Sequence, residues 1–277
     1  MGDVRRLFAP QGRPLTPLPA RPFERYVAIG DSSTEGLDDP DGKGGYRGWA
    51  NRLAERIASL QGSVLYANLG IRGRLTRHIR DEQLERALAM RPDLVTVFSG
   101  TNDVVARRFD ADLLARDIEQ IQRALVGGGA TVLTFTLPDL TPVMPLARMV
   151  ASRVQALNEV IRVASAQSGA ILVDIARHPV ASDPRLWSED RLHANSRGHA
   201  RIAAALAHAL GLPGTDASWS DPLPPLGPRT RFERWEAEAR WGRRYLLPWV
   251  WRSLRGRSSG DGHTAKRPDL LPIDGAS

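Results

Sequence analysis

The sequence predicts an α/β protein with a mostly parallel sheet, and two observations support this class. Five short apolar runs, rich in residues that favour β-structure, recur along the chain, and each is followed by a segment with helical periodicity. Glycine, proline or polar clusters separate these runs. Alternation of strand and helix is typical of a parallel sheet covered by helices on both faces. Right-handed crossovers then place the carboxyl ends of the strands along one edge.

The strands and helices follow from the same periodicities. The predicted strands span residues 24–30, 64–69, 93–99, 130–136 and 170–174. The predicted helices span residues 49–60, 76–90, 110–126, 146–168 and 195–210. Two long irregular segments remain, the proline-rich residues 137–145 and the polar residues 177–195. Both are predicted to be loops near the carboxyl edge of the sheet.

Composition limits the class of protein. The chain has 277 residues, of which 42% are hydrophobic and 25% charged, as in ordinary globular proteins. It contains no cysteine, which excludes disulfides and thiolate metal sites. No apolar run follows Arg5 and Arg6, so no signal peptide is expected, and no window is apolar enough to span a membrane. We therefore expect a cytoplasmic protein.

The net charge of +7 is distributed unevenly. Residues 1–22 and 213–277 each carry +3, whereas residues 23–212 carry only +1. A nucleic-acid-binding core would concentrate positive charge. The sequence therefore predicts no nucleic-acid partner.

Composition also divides the chain into three parts. Residues 1–22 are rich in proline and arginine and are predicted to be a flexible lead-in, and residues 23–212 hold the folded domain. Residues 213–277 are predicted to comprise a proline-rich linker, a Trp/Arg-rich helical segment and a disordered C-terminus from residue 256.

The Trp/Arg-rich segment, residues 229–257, allows two interpretations. It contains four of the seven tryptophans and nine arginines against three glutamates. A basic amphipathic segment of this kind could contact an anionic membrane surface or an acidic partner. Alternatively, it packs its tryptophans on the folded domain and presents its arginines to solvent.

Polar residues follow the first three predicted strands and identify a candidate site. They are Asp31 and Ser32, then Gly70, then the run from Gly100 to Asp103. Ser32 alone could be a helix N-cap. It could also be a nucleophile, because the carboxyl edge of an open α/β sheet is where ligands bind.

A serine nucleophile needs a base, an acid that orients the base, and donors for an oxyanion. His193 can accept the hydroxyl proton, and Asp190, three residues earlier, can hold the imidazole in one tautomer. The backbone N–H groups of Ser32 and Gly70 and the side-chain amide of Asn102 are candidate oxyanion donors.

These segments resemble the SGNH (GDSL) hydrolase family in all four of its sequence blocks, in order. The blocks are Gly-Asp-Ser32, Gly70 after Asn-Leu, Gly-Thr-Asn102-Asp and Asp190-Arg-Leu-His193, with Ser33 where the GDSL motif has leucine. The resemblance implies a three-layer α/β/α, flavodoxin-like fold and ester hydrolysis through an acyl-enzyme. It further implies Ser32 as nucleophile, His193 as base and Asp190 as its partner, with an oxyanion hole formed by Ser32, Gly70 and Asn102.

Other assignments complete the predicted site. Thr101, Asp103 and Trp187 are expected to contribute to the substrate pocket. No metal and no cofactor are expected, because His199, six residues after His193, matches no metal-binding spacing.

The sequence thus favours a serine esterase that acts on a small carboxylic ester. A thioesterase or an acyltransferase could use the same triad. A catalytically silent binding protein, acting through its basic Trp-rich tail, is a third hypothesis, and the intact set of four blocks argues against it.

Overall fold

The computed structural model describes residues 22–225, 227, 236, 238–246, 260 and 262–275. The predicted lead-in and most of the Trp/Arg-rich segment therefore lie outside the described residues. Within the described part, no helix is both long enough and apolar enough to span a bilayer.

A six-stranded sheet confirms the predicted α/β class, with one strand more than expected. Its spatial order is β5-β4-β3-β1-β2-β6, and all neighbouring pairs are parallel except β2–β6. The strands are β1 (Arg25–Gly30), β2 (Ser63–Asn68), β3 (Leu94–Phe98), β4 (Thr131–Phe135), β5 (Ile171–Val173) and β6 (Arg267–Asp274).

Strand β6 corrects the prediction of a disordered C-terminus from residue 256. Residues 267–274 pair antiparallel with β2 and form one edge of the sheet. Pro268 and Pro272 argue against a strand, because proline has no N–H to donate to a neighbouring strand. An edge strand tolerates such residues, since one of its sides is unpaired. Arg267 secures the strand by donating from Nε to the carbonyl of Tyr66 at 2.9 Å.

Helices cover both faces of the sheet. The first half of the chain contributes α1 (Ser32–Glu35), α2 (Gly48–Gln61), α3 (Thr76–Ile79), α4 (Glu85–Ala89) and α5 (Thr101–Val105). The second half contributes α6 (Ala111–Gly127), α7 (Ala151–Ser168) and α8 (Ser196–Ala209). A π-turn at Arg80–Leu84 joins α3 to α4, and a 3₁₀ turn at Pro145–Val150 precedes α7. The helix predicted over 146–168 therefore begins at residue 151.

The core consists of two apolar layers separated by the sheet. Along β1, Tyr26 and Ala28 face the layer formed with α2, α7 and α8, whereas Val27 and Ile29 face the layer formed with α4 and α6. All four side chains are fully buried. Burial of each large side chain contributes about 1.5–3 kcal/mol. This two-sided burial holds β1 rigidly, and with it the turn that follows.

Candidate active site

The turn after β1 presents Ser32 at the carboxyl edge of the sheet. The Asp31 carboxylate accepts a hydrogen bond from the Ser33 backbone N–H at 3.0 Å and so caps α1. Ser32 is the first residue of α1. The chain passes close to β3 here, because a Cβ on Gly30 would lie 2.4 Å from the carbonyl oxygen of Phe98. Only glycine fits this passage.

The structure brings His193 and Asp190 to Ser32, as predicted from their sequence spacing. His193 Nε2 lies 2.8 Å from Ser32 Oγ, and His193 Nδ1 lies 2.6 Å from Asp190 Oδ2. The second carboxylate oxygen of Asp190 accepts from the backbone N–H groups of Leu192 and His193 and from Ser188 Oγ. These bonds fix the carboxylate against the imidazole.

The electrostatics of this pair favour an ionised acid and a basic imidazole. Burial opposes ionisation of Asp190, but its hydrogen bonds from His193 and Ser188 hold its pKa well below the ordinary range. Burial alone would lower the pKa of His193, yet the bond to Asp190 and the charges of Asp190, Asp38 and Asp31 raise it above the ordinary value. Asp190 thereby increases the proton affinity of His193.

Asp31 is adjacent to Ser32 in sequence, but its hydrogen bonds stabilise the backbone and do not involve His193. Its side chain is fully buried, and burial raises its pKa to about 7. It accepts from Ser33 and, at 3.3 Å, from the side-chain amide of Asn102. It therefore links the Ser32 turn to α5.

Gly70 follows β2 at the carboxyl edge of the sheet, as predicted, but its N–H is engaged within its own loop. Its backbone N–H donates to Asn68 Oδ1 at 2.9 Å, and Gly70 is not among the residues found to line the cavity beside Ser32. A Cβ at this position would lie 2.8 Å from the backbone nitrogen of Glu35. The glycine thus allows the loop after β2 to pack directly on α1.

Three residues that follow β3, Thr101, Asn102 and Asp103, were predicted to belong to the site, and the structure places them differently. Asn102 and Thr101 both line the cavity beside Ser32, and Asn102 Nδ2 donates to the carbonyl of Arg74 at 3.0 Å. Asp103 instead accepts from the backbone N–H and hydroxyl of Thr76, both at 2.9 Å. Asp103 is thus an anchor for the start of α3 and is not among the residues found to line the cavity.

Comparison with known proteins identifies the family. Residues 28–201 match the GDSL-like lipase/acylhydrolase family. The chain belongs to this family. The resemblance inferred from the sequence blocks is confirmed, and the GDSL-like protein is by class an ester hydrolase.

Individual proteins similar to this chain are consistent with the family assignment. A GDSL lipase of Mycobacterium tuberculosis is 26% identical over 194 residues, which cover 67% of this chain and 81% of the relative. The crystal structure of a lipase/acylhydrolase from Enterococcus faecalis has a TM-score of 0.57 at 21% identity and covers 70% of this chain and 100% of its own. An acetylxylan esterase from Geobacillus stearothermophilus has a TM-score of 0.56 at 17% identity, covering 70% and 97%. The two structures show the shared fold.

A cavity of about 940 Å³ opens beside Ser32 and His193 in the GDSL-like protein. Trp187 lines it, as predicted, and donates from Nε1 to the carbonyl of Ala181 at 2.9 Å, which fixes its ring. The other walls are largely apolar. They include Phe98, Phe135, Leu137, Met144, Leu146, Met149, Val150, Ile175, Val180, Leu186, Ile202 and Trp219.

One group of acidic and imidazole side chains has the composition of a cation site. Asp38, Asp190 and His193 each offer a ligand atom, and these atoms lie within 4.8 Å of one another. However, Nδ1 of His193 and Oδ2 of Asp190 are separated by 2.6 Å, the distance of a direct hydrogen bond. Zinc would need about 2.0–2.2 Å to each atom, with an angle near tetrahedral, and so a wider separation. The geometry fits a shared proton better than a metal.

Two residues that support the site were not predicted from the sequence. His199, interpreted from its spacing only as a non-ligand, is buried behind the Ser32 turn. Trp241, from the Trp/Arg-rich segment, is almost fully buried against the turn that carries Asp190. Helical spacing in the Trp/Arg-rich segment indicated that its tryptophans could pack on the folded domain. No local sequence pattern connects His199 or Trp241 with Ser32.

Proposed function

We propose that this GDSL-like hydrolase cleaves a carboxylic ester through a covalent acyl-enzyme on Ser32. One observation carries the proposal: Asp190, His193 and Ser32 form a continuous hydrogen-bonded chain with separations of 2.6 and 2.8 Å. A serine hydroxyl becomes an effective nucleophile when a neighbouring base takes its proton in this way.

The proposed reaction has two halves. Ser32 Oγ attacks the ester carbonyl carbon as its proton passes to His193 Nε2, and the tetrahedral intermediate collapses when His193 returns that proton to the leaving alcohol oxygen. Water then attacks the acyl-enzyme, gives one proton to His193 and releases the carboxylic acid, while the proton returns to Ser32. Asp190 stabilises the imidazolium in both halves and stays ionised.

Of the three predicted oxyanion donors, the Ser32 N–H and the Asn102 amide are favoured, because Gly70 is not among the residues found to line the cavity. The backbone N–H of Ser32 stands at the start of α1, and the Asn102 amide faces the same cavity. Both N–H groups of Asn102 are engaged in this structure, to the carbonyl of Arg74 at 3.0 Å and to Asp31 Oδ2 at 3.3 Å, so donation to an oxyanion would replace the longer of these two bonds. The Ser32 N–H, held at the start of α1, would stabilise this charge without reorganising, whereas Asn102 would exchange one hydrogen bond for another.

The cavity indicates an apolar substrate group. Its walls are mainly aliphatic and aromatic, and a volume of about 940 Å³ holds far more than an acetyl group. We therefore infer that the ester carries an extended apolar acyl or alcohol part, a broader range than the small ester expected from the sequence. A sugar-based alcohol would leave many hydroxyls facing apolar walls.

The proposal is tested with p-nitrophenyl esters of increasing acyl length. We expect turnover by the wild type, higher kcat/KM for medium chains than for acetate, and loss of at least about 10³-fold in Ser32→Ala. A fluorophosphonate probe should label the wild type and Ser33→Ala, a matched neighbour that keeps Ser32, but not Ser32→Ala. Wild-type protein that neither turns over these esters nor takes the label would contradict the proposal and favour the silent binding protein.

Two further substrates separate the remaining enzymatic alternatives. Acyl-CoA thioesters, followed by release of free thiol, report thioesterase activity. An added alcohol that increases product formation at the expense of free acid reports acyl transfer. We expect oxygen-ester hydrolysis to have the highest kcat/KM of the three.

A further inference from the structure

Residues 238–246 form a short helical segment that packs on the turn carrying Asp190, although the family match ends at residue 201. Trp241 is 8% exposed, and its Nε1 donates to the backbone carbonyl of Asp190 at 3.1 Å. The guanidinium of Arg191 lies over the indole ring, 4.8 Å from its centroid. Such a contact stabilises a partly buried pair beyond its packing.

Two more contacts join the same segment to the same turn. Arg191 Nη1 lies 2.8 Å from Glu238 Oε2, and the Tyr245 hydroxyl donates to Glu189 Oε2 at 2.9 Å. Three consecutive residues, 189 to 191, are therefore each held by the segment. We call residues 238–245 the clasp.

The turn that carries Asp190 contains a residue with an unfavourable backbone conformation. Arg191 has φ of 64°, in the left-handed region that a residue with a Cβ adopts at a cost. This conformation lets the carboxylate of Asp190 fold back to the backbone N–H groups that follow it and to the ring of His193. The clasp bonds to Arg191, the residue with the unfavourable φ, and to its neighbour Asp190, so it stabilises the turn where its backbone is least favourable.

The clasp also reaches the substrate cavity. Trp241 and Tyr245 line the same cavity as Ser32 and His193. Trp187 lies on the same side and borders the groove between the clasp and the turn. The segment thus contributes both to the support of the triad and to the wall of the cavity.

We propose that Trp241 is a positioning residue for the Asp190–His193 pair and that, with Tyr245, it limits the size of the substrate group accepted. This inference rests on the proposed function, since it assigns the clasp a part in the same reaction. Through its bond to the Asp190 carbonyl, Trp241 holds the carboxylate at the distance that raises the basicity of His193.

Trp241→Phe tests the positioning role, because it removes the N–H donor and keeps an aromatic ring in the wall, although a smaller one. We expect kcat for p-nitrophenyl acetate to fall about two- to tenfold, the usual effect of one neutral hydrogen bond, with KM little changed. The acid limb of the pH–kcat/KM profile should move toward lower pH, because a looser Asp190 raises the pKa of His193 less. A merely structural role would lower Tm without moving that limb.

Trp241→Ala and Tyr245→Ala test the size limit. Each should raise the kcat/KM of bulky or long-chain esters relative to acetate by about threefold or more, since the cavity wall recedes. Rates are expressed per active site titrated with the fluorophosphonate, so that partial unfolding does not imitate lost catalysis. Arg240→Gln is the control on the same segment, because Arg240 is exposed and bonds to Glu236 rather than to the turn. It should match the wild type.

The proposal would be overturned by two results together. Trp241→Phe would keep the kcat and the pH profile of the wild type, and both alanine variants would keep its chain-length profile. Failure of the proposed function is recognised separately, by activity that persists in Ser32→Ala. A dead Ser32→Ala with fully active clasp variants would reject the clasp inference alone.

Discussion

The backbone N–H of Trp49 donates to Nδ1 of His199 at 3.1 Å and joins α2 to α8 behind the Ser32 turn. Nε2 of the same imidazole donates to the carbonyl of Leu37 at 2.9 Å, just beyond α1. The indole N–H of Trp49 in turn reaches Ser33 Oγ at 3.1 Å. A neutral, buried histidine thus fixes the backbone on which Ser32 stands, while a second histidine contacts Ser32 itself.

Replacement of His199 should destabilise the protein in a pH-dependent manner. His199→Ala leaves a buried N–H and a buried carbonyl without partners, which should cost about 2–4 kcal/mol at pH 7.5. Burial lowers the pKa of His199 to about 4. The unfolded chain therefore takes up a proton near pH 6.5 while the folded protein does not, so the contribution of His199 is complete above pH 6.5 and declines toward pH 4.

Urea denaturation of wild type and His199→Ala at pH 7.5 and pH 5 measures this difference. His208→Ala, on the last turn of the same helix, is the control and should change stability by less than about 0.5 kcal/mol. A difference between wild type and His199→Ala that is as large at pH 5 as at pH 7.5 would contradict the prediction.

Asp31→Asn should stabilise the protein at alkaline pH. Burial raises the pKa of Asp31 to about 7, so the folded protein holds this proton more tightly than the unfolded chain does. The resulting penalty is absent below about pH 4, grows as pH rises and is complete above pH 7. Asparagine still caps α1 and carries no charge, so the variant should gain about 2–4 kcal/mol at pH 8 relative to its difference at pH 4. Equal differences at the two pH values, from denaturation curves, would disprove this account.

Asp190→Asn should impair catalysis and alter its pH dependence. The wild-type kcat/KM should rise with pH through one ionisation above pH 6.5, because Asp190 raises the pKa of His193 and only the neutral imidazole accepts a proton. The variant should lose about 10³–10⁴-fold in kcat, and its residual acid limb should lie at lower pH. Steady-state rates from pH 5 to pH 9 give both quantities. If the acid limb of Asp190→Asn lies at the same pH as that of the wild type, a group other than His193 controls the pH dependence.

Gly48→Ala should destabilise the Ser32 turn through two separable effects. Gly48 has φ of +71°, and a Cβ there would lie 2.4 Å from Gly36 Cα at the end of α1. Gly44→Ala isolates the first effect, because Gly44 has φ of +91° with open space around it. We expect a loss of about 1 kcal/mol for Gly44→Ala and about 3 kcal/mol or more for Gly48→Ala, with reduced kcat only in the latter. Similar losses in Tm and kcat for both variants would reject the contact.

The local features of this protein were predictable from its sequence. The strands that carry the site are apolar and buried on both sides, so their composition and flanking glycines located them to within about two residues. The contact of Ser32 with His193, and of His193 with Asp190, was also predictable. The carboxyl ends of parallel strands meet at one edge, and His193 and Asp190 come from one loop.

Features that depend on distant parts of the chain were not predictable in the same way. Gly70 has the sequence context of an oxyanion donor, but the hydrogen bond from its N–H to the side chain of Asn68, two residues away, has no signal in the sequence. The clasp was recognised as a segment that packs its tryptophans, one of two interpretations, yet its target on the Asp190 turn follows from tertiary contacts alone. Edge strand β6 lacks the apolar pattern of a buried strand, because one of its sides faces solvent.

The position of β6 in the chain has a kinetic consequence. Its partner β2 lies about two hundred residues earlier, as the bond from Arg267 to Tyr66 shows. Closing so long a loop is entropically costly, so this pairing should form after the parallel strands have assembled and should separate before they do. In hydrogen exchange, the amides of residues 267–274 should therefore lose protection by local opening while those of β1 and β3 exchange only with global unfolding.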